Sequence, residues 1–151
     1  MGTNWGVVVF ILDGLKGTIP AAVGTQLSAG LGSYALLGAA VIGHMYPLFR
    51  RPGTDRFRGG KGVATLSGGM FVLQPLVACG LTVVWIVARV ASKKASVASL
   101  AITALLPVGC LIAGTPGWQI LAIVALCSIV MIRHIDNIKR LLNGRELHAN
   151  R

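Results

Sequence analysis

Phe57-Arg58-Gly59-Gly60-Lys61-Gly62-Val63-Ala64-Thr65 joins a basic, glycine-dense turn directly to an apolar run. Three glycines in four positions let the backbone come close to a ligand, with no Cβ in the way. The free N–H groups that open the following helix, with Lys61 beside them, favour an anion. A flexible loop carrying positive charge at a membrane surface explains the turn alone equally well. The turn is not a nucleotide P-loop. Counting from Gly53, the position that must be glycine is Arg58, and Lys61 precedes Gly62 instead of Ser or Thr.

The flanks of this turn set the fold class. The chain is 54% apolar and only 12% charged, with a mean hydropathy of +0.75. That leaves too little polar surface for a water-soluble globule of 151 residues. About 20 apolar residues in a helix cross a bilayer core of about 30 Å. Candidate spans lie near 5–26, 33–50, 75–92, 97–114 and 117–133, and the shorter segment 62–73 makes a sixth. The expectation is an all-α, polytopic membrane helix bundle of about six crossings, one domain over 1–151.

A formal net charge of +10 is unevenly placed. Arg50, Arg51, Arg56, Arg58 and Lys61 share one connection, and Arg89, Lys93 and Lys94 another. Arg133, Lys139, Arg140, Arg145 and Arg151 form the tail. The alternate connections near 27–32, 73–75 and 114–116 hold no Lys or Arg. By the positive-inside rule the basic regions, the C-terminus and the N-terminus are expected to be cytoplasmic. Such residues framing a bilayer suit anionic headgroups better than nucleic acid, so no nucleic-acid partner is expected.

Cys79, Cys110 and Cys127 lie within apolar segments at no metal-ligand spacing, and read as small hydrophobes. The first residues, Met1-Gly2-Thr3-Asn4, carry no basic group before the apolar run, so no cleavable signal is read. Glycines within the helices, among them Gly38, Gly43, Gly68, Gly69, Gly80 and Gly109, suit close helix packing in lipid.

Polar groups at membrane depth are costly and each asks for a reason. Asp13 and Lys16 are three apart on the first helix and can pair. His44 sits in Gly43-His44-Met45-Tyr46-Pro47, where a structural and a functional role are both open. Of Ser96 and Ser99, one is expected to cap the fifth helix and the other to be available to a ligand. In Arg133-His134-Ile135-Asp136-Asn137-Ile138-Lys139-Arg140, a helix continuing out of the membrane puts His134 and Asn137 on one face, and Arg133, Asn137 and Arg140 likewise. These donors suit phosphate and hydroxyl groups.

In these residues the chain resembles the bacterial acyl-phosphate-dependent glycerol-3-phosphate acyltransferases, the PlsY family. The resemblance rests on Leu12-Asp13-Gly14-Leu15-Lys16-Gly17 with Pro20, Gly43-His44-Met45-Tyr46-Pro47, and Gly59-Gly60-Lys61-Gly62-Val63-Ala64-Thr65. It continues through Ser99, Arg133-His134 to Asn137, Arg140-Leu141-Leu142 and Gly144-Arg145-Glu146. The ordered set spans almost the whole chain. It implies acyl transfer from acyl phosphate to the 1-hydroxyl of glycerol 3-phosphate, giving lysophosphatidic acid in phospholipid synthesis. It also implies a multi-pass protein of the bacterial inner membrane with a cytoplasmic active face, in contact with membrane lipids. No metal or cofactor is expected. Lys61, His134 and Asn137 fall in the implied catalytic set, and Arg58, Gly59, Gly60, Gly62 and Ser99 in substrate binding. An acyl phosphate is already activated, so positioning and charge stabilisation can suffice without a Ser-His-Asp triad.

The family pattern starts with a further helix and a loop of the type Ser-Gly-Asn-x-Gly-x-Thr-Asn ending in Arg, which this sequence does not contain. The connection 50–56 is also longer and more basic than the family's. The expectation for the chain by itself is therefore weak catalysis, as an N-terminally truncated copy or a diverged relative. Two other classes compete: an inactive membrane relative that binds lipid or a partner, and a small transporter routed through Asp13, Lys16 and His44.

Overall fold

The computed structural model describes residues 3–28, 30–47 and 59–146. Among them every regular element is an α-helix: α1 (Thr3–Leu27), α2 (Leu31–Met45), α3 (Val63–Leu73), α4 (Pro75–Ser92), α5 (Ala95–Ile112), α6 (Gly117–Ile132) and α7 (Ile135–Leu142). The all-α architecture is the expected one, with an apolar helix in each of the six apolar segments and the short α7 added at the tail. α1, α4 and α5 are long and apolar enough to cross a membrane, and α6 with α7 makes a fourth span if that bent pair counts as one. α2 and α3 are shorter apolar helices.

Prolines set several boundaries. α2 stops at Met45, short of the expected 50, because the residue before Pro47 is pushed out of the helical region. Pro75 likewise ends α3 at Leu73 and opens α4 at its first position, where a missing N–H costs nothing. α5 closes with Gly114 at φ 73, the N–H of Gly114 bonding the Leu111 carbonyl and that of Thr115 the Cys110 carbonyl.

The chain forms two compact units, Met1–Pro75 and Leu76–Arg151. In the first, α1 lays a stripe of small residues against α2 and α3. A Cβ added at Gly17 would run into the Thr65 carbonyl, one at Gly68 into Gly14, and one at Gly24 into the backbone of Ser33. Thr18 Oγ1 donates to the Gly68 carbonyl at 2.9 Å, tying α1 to α3. Lipid tails are as apolar as leucine, so this close approach, with its dispersion contacts and interhelical hydrogen bond, is what holds the helices together. Opposite it, Tyr34, Leu37, Val41 and Met45 of α2 are buried at helical spacing, with Leu66 and Met70 of α3.

In the second unit, α5 packs on α6 through Ala98, Ile102, Leu106 and Cys110 against Ile123, Leu126, Cys127 and Val130. α4 buries Ala78 and leaves Val83, Ile86, Val87 and Val90 exposed, as α1 leaves Val7 to Leu12. Apolar faces of this extent suit lipid contact. Cys110 and Cys127 are buried as small hydrophobes, whereas Cys79 lies on the exposed side of α4.

Candidate active site

In the first unit the glycine turn seats on the end of α2 and opens α3. Gly62 caps α3 in the left-handed region, at φ 83 and ψ −2, a conformation that costs any residue with a Cβ roughly 1–2 kcal/mol. Its carbonyl accepts the Leu66 N–H at 2.8 Å, the first turn of α3. That leaves the N–H groups of Val63, Ala64 and Thr65 without intrahelical acceptors, at the positive end of the helix dipole. Gly59 lies so close to the His44 and Met45 carbonyls that a Cβ there would collide with them. Lys61 is half-buried beside this N-terminus. Arg58, expected to join it, lies outside the described residues.

The Asp13–Lys16 pair forms as its spacing predicts, Nζ to Oδ1 at 2.8 Å. His44 joins it, with Nδ1 3.5 Å from the same Asp13 oxygen. On the other side of the ring, the Nε2 edge meets Gly60 so closely that a side chain at 60 would clash. Three intramembrane polar residues that were open between roles thus form one cluster against the glycine turn.

In the second unit the tail departs from the expected continuous helix. The chain breaks at Arg133-His134 and α7 leaves α6 at 57°. Arg133 ends α6 and His134 caps α7, so Arg133, Asn137 and Arg140 do not share one uninterrupted face. His134 and Asn137 are nonetheless both buried, at 2% and 4% exposure. His134 Nδ1 lies 2.8 Å from the Val130 carbonyl. A carbonyl only accepts, so Nδ1 is the donor in this contact.

α7 ends in a Schellman turn. The N–H of Gly144 (φ 64) bonds the Leu141 carbonyl, and that of Arg145 the Arg140 carbonyl. This reversal returns Glu146 to the helix it has just left. Its carboxylate accepts from Asn137 Nδ2 at 2.7 Å and from Arg140 Nε at 2.8 Å. The Ser96 hydroxyl is nearby without forming a well-aligned hydrogen bond. Burial pushes the Glu146 carboxyl up, but the Asn137 and Arg140 contacts outweigh it, and the group ends below its ordinary value.

Asn137 therefore has one amide N–H committed to Glu146, with Oδ1 as the acceptor on the other branch of the amide. Sequence reasoning assigned Glu146 no role. Its signal was the spacing Asn137, Arg140, Glu146 across a glycine that can reverse the chain.

Neither serine caps α5. Lys94 stands at the cap without a side-chain bond, Ser96 is buried in the first turn and Ser99 is half-buried, its carbonyl accepting Thr103 Oγ1 at 2.7 Å. One turn further along α5, and from Met131 back along α6, an open groove of about 350 Å³ is lined by Thr103, Pro107, Val124, Cys127, Ser128 and Met131. The structure thus gathers Lys61, the glycines and His44 in one unit, and Ser96, Asn137, Arg140 and Glu146 in the other. Among the described residues no cluster of His, Cys, Asp or Glu has the makings of a metal site.

Comparison with known proteins agrees with these features. The glycerol-3-phosphate acyltransferase family model matches residues 1–144. The glycerol-3-phosphate acyltransferase of Aquifex aeolicus is 38% identical over 149 residues, covering 97% of this chain and 74% of the relative. That of Rubrobacter xylanophilus is 37% identical over 148 residues, covering 96% and 71%. Among solved structures, PlsY (YgiH), an integral membrane glycerol 3-phosphate acyltransferase, matches in its glycerol 3-phosphate form with a TM-score of 0.87 at 38% identity, covering 98% of this chain and 72% of that one. Its lysophosphatidic acid form matches with a TM-score of 0.86. Apolar helices, a glycine turn that opens α3 and this agreement in sequence and fold converge, and the chain belongs to the glycerol-3-phosphate acyltransferase family.

Proposed function

We propose that this chain transfers an acyl group from acyl phosphate to the 1-hydroxyl of glycerol 3-phosphate, giving lysophosphatidic acid. The observation that carries the reading is the match of nearly the whole chain to a solved acyltransferase in its glycerol 3-phosphate and lysophosphatidic acid forms. The hydroxyl oxygen attacks the acyl carbonyl carbon, the bond from that carbon to the phosphate oxygen breaks, and inorganic phosphate leaves with the proton. An activated mixed anhydride needs chiefly alignment and charge stabilisation for this step. Lys61 and the α3 N-terminus serve as phosphate ligands with Gly59, Gly60 and Gly62, and with Arg58 as a further cation. Ser99, the Nε2 of His134 and the Oδ1 of Asn137 contact glycerol 3-phosphate, with Glu146 holding Asn137 in place. The open groove between α5 and α6 is apolar enough for part of an acyl chain.

Residues 1–151 act in this reading as one catalytic domain. The protein resides in the bacterial inner membrane, its basic connections and C-terminus cytoplasmic by the positive-inside rule. The test supplies the lipid-reconstituted protein with acyl phosphate and labelled glycerol 3-phosphate. Lysophosphatidic acid should form, slowly for the chain by itself, and Lys61→Ala should remove a charge-assisted contact worth about 1.5–3 kcal/mol, roughly tenfold to over a hundredfold in kcat/KM. His134→Ala and Asn137→Ala should weaken use of glycerol 3-phosphate, and Cys110→Ala should change little. Full activity in Lys61→Ala would remove the phosphate role.

A further inference from the structure

We propose that Asp13 and His44 are positioning residues for the phosphate-binding turn: the carboxylate orients the imidazole, and the ring's Nε2 edge backs Gly60 and sets where Gly59 to Lys61 present their donors. The inference rests on reading that turn as a phosphate ligand and adds the part that holds it.

Two independent contacts define the arrangement. Asp13 Oδ1 stands 3.5 Å from His44 Nδ1, close enough for its charge to orient the imidazole. The opposite, Nε2 edge of the ring packs against Gly60 without room for a Cβ. Gly59 is seated on the His44 and Met45 carbonyls in the same way. Neither α1 nor α2 needs an ionisable side chain for packing, since small residues and buried aliphatics do that work in this unit. Polar groups at this depth are costly unless they act.

The chemistry explains why such support is useful. A turn of three glycines in four residues has the loosest backbone available. A phosphate ligand made of backbone N–H groups and one lysine is effective only when those donors are already in place. A planar ring fixed on one side by a carboxylate supplies a rigid wall where the sequence itself supplies none. Lys16 bonds the same Asp13 oxygen at 2.8 Å from a more exposed position and balances its charge.

The experiment uses the lipid-reconstituted protein, with steady-state kinetics in both substrates and thermal melting of each variant. His44→Ala and Gly60→Ala should each raise KM for the phosphate-bearing substrate that Lys61→Ala weakens, by about tenfold, a magnitude usual for residues in contact. The turnover number should change far less, as it does when binding in ground and transition states is lost together. The double variant His44→Ala/Gly60→Ala should be no worse than either single one, because removing the ring removes what the new methyl group strikes.

His44→Gln, whose amide reaches the position of Nε2, should restore most of KM, whereas His44→Asn, which reaches only as far as Nδ1, should resemble His44→Ala. Additive effects in the double variant, or a fall in turnover and melting temperature with KM intact, would overturn the positioning role and leave the turn's phosphate role standing. An unchanged KM in Lys61→Ala would overturn both.

Discussion

Glu146 shows how one side chain can organise others. Its two oxygens take one donor each from Asn137 and Arg140, which fixes the amide of Asn137 and so decides which of its atoms is left for a ligand. The carboxyl sits below its ordinary value because these contacts outweigh burial. A carboxylate whose folded pKa is depressed contributes stability that is fully present above its unfolded value, about 4.3, and is lost as pH falls through the folded value. Acidification should therefore release the segment after α7 first. Protection of the 140–146 amides, measured against their intrinsic exchange rate at each pH, should fall as pH falls through that range, and Glu146→Gln should show the low protection already at neutral pH. Acid-insensitive protection in the parent protein would contradict this account. Asn137 and His134 were legible as candidates from their spacing near a basic tail. Glu146 was not, because its partners are reached only after the chain reverses.

At the level of elements, glycine conformation explains that reversal and the opening of α3. Gly144 occupies the left-handed region at φ 64 and Gly62 at φ 83. Gly144→Ala has open space around its new methyl group, so its cost should be conformational alone, about 1 kcal/mol. It should loosen Glu146 and raise KM for glycerol 3-phosphate modestly, with the rest of the unit unperturbed. Crowding, not conformation, governs Gly17, where a Cβ meets the Thr65 carbonyl. Gly17→Val should separate α1 from α3 and lower the melting temperature in lipid by several degrees, the response expected for overpacking of about 1–3 kcal/mol. A wild-type melting temperature would show that α1 and α3 are not held by this contact. The break between α6 and α7 was not visible in the sequence. A hydrophobic period runs out at Ile132 whether the helix continues or bends.

For the molecule as a whole, composition and charge carry further than any single residue. Expanses of exposed aliphatic side chain on α1 and α4 and Lys/Arg concentrated at alternate connections both follow from a bilayer as solvent. Topology is open to direct measurement. With the three native cysteines replaced, Lys94→Cys and Arg145→Cys should resist a membrane-impermeant thiol reagent added outside intact cells, and should react once the cells are opened. Labelling from outside would reverse the sidedness proposed above.

The all-helical membrane class, the approximate helix limits and the glycine turn were determined by the sequence alone. Each depends on local quantities: runs of apolar residues, prolines at helix ends and glycines where φ must be positive. What only the tertiary structure decided is which polar groups meet. Asp13 and His44 lie on different helices, and nothing in their spacing places the imidazole between a carboxylate and Gly60. Asn137 and Glu146 are nine residues apart and join only through a Schellman turn. Hydropathy and periodicity report which face of a helix avoids water. They carry no information about which neighbour that face will touch, since in lipid the pairing is settled by close packing and hydrogen bonds between helices.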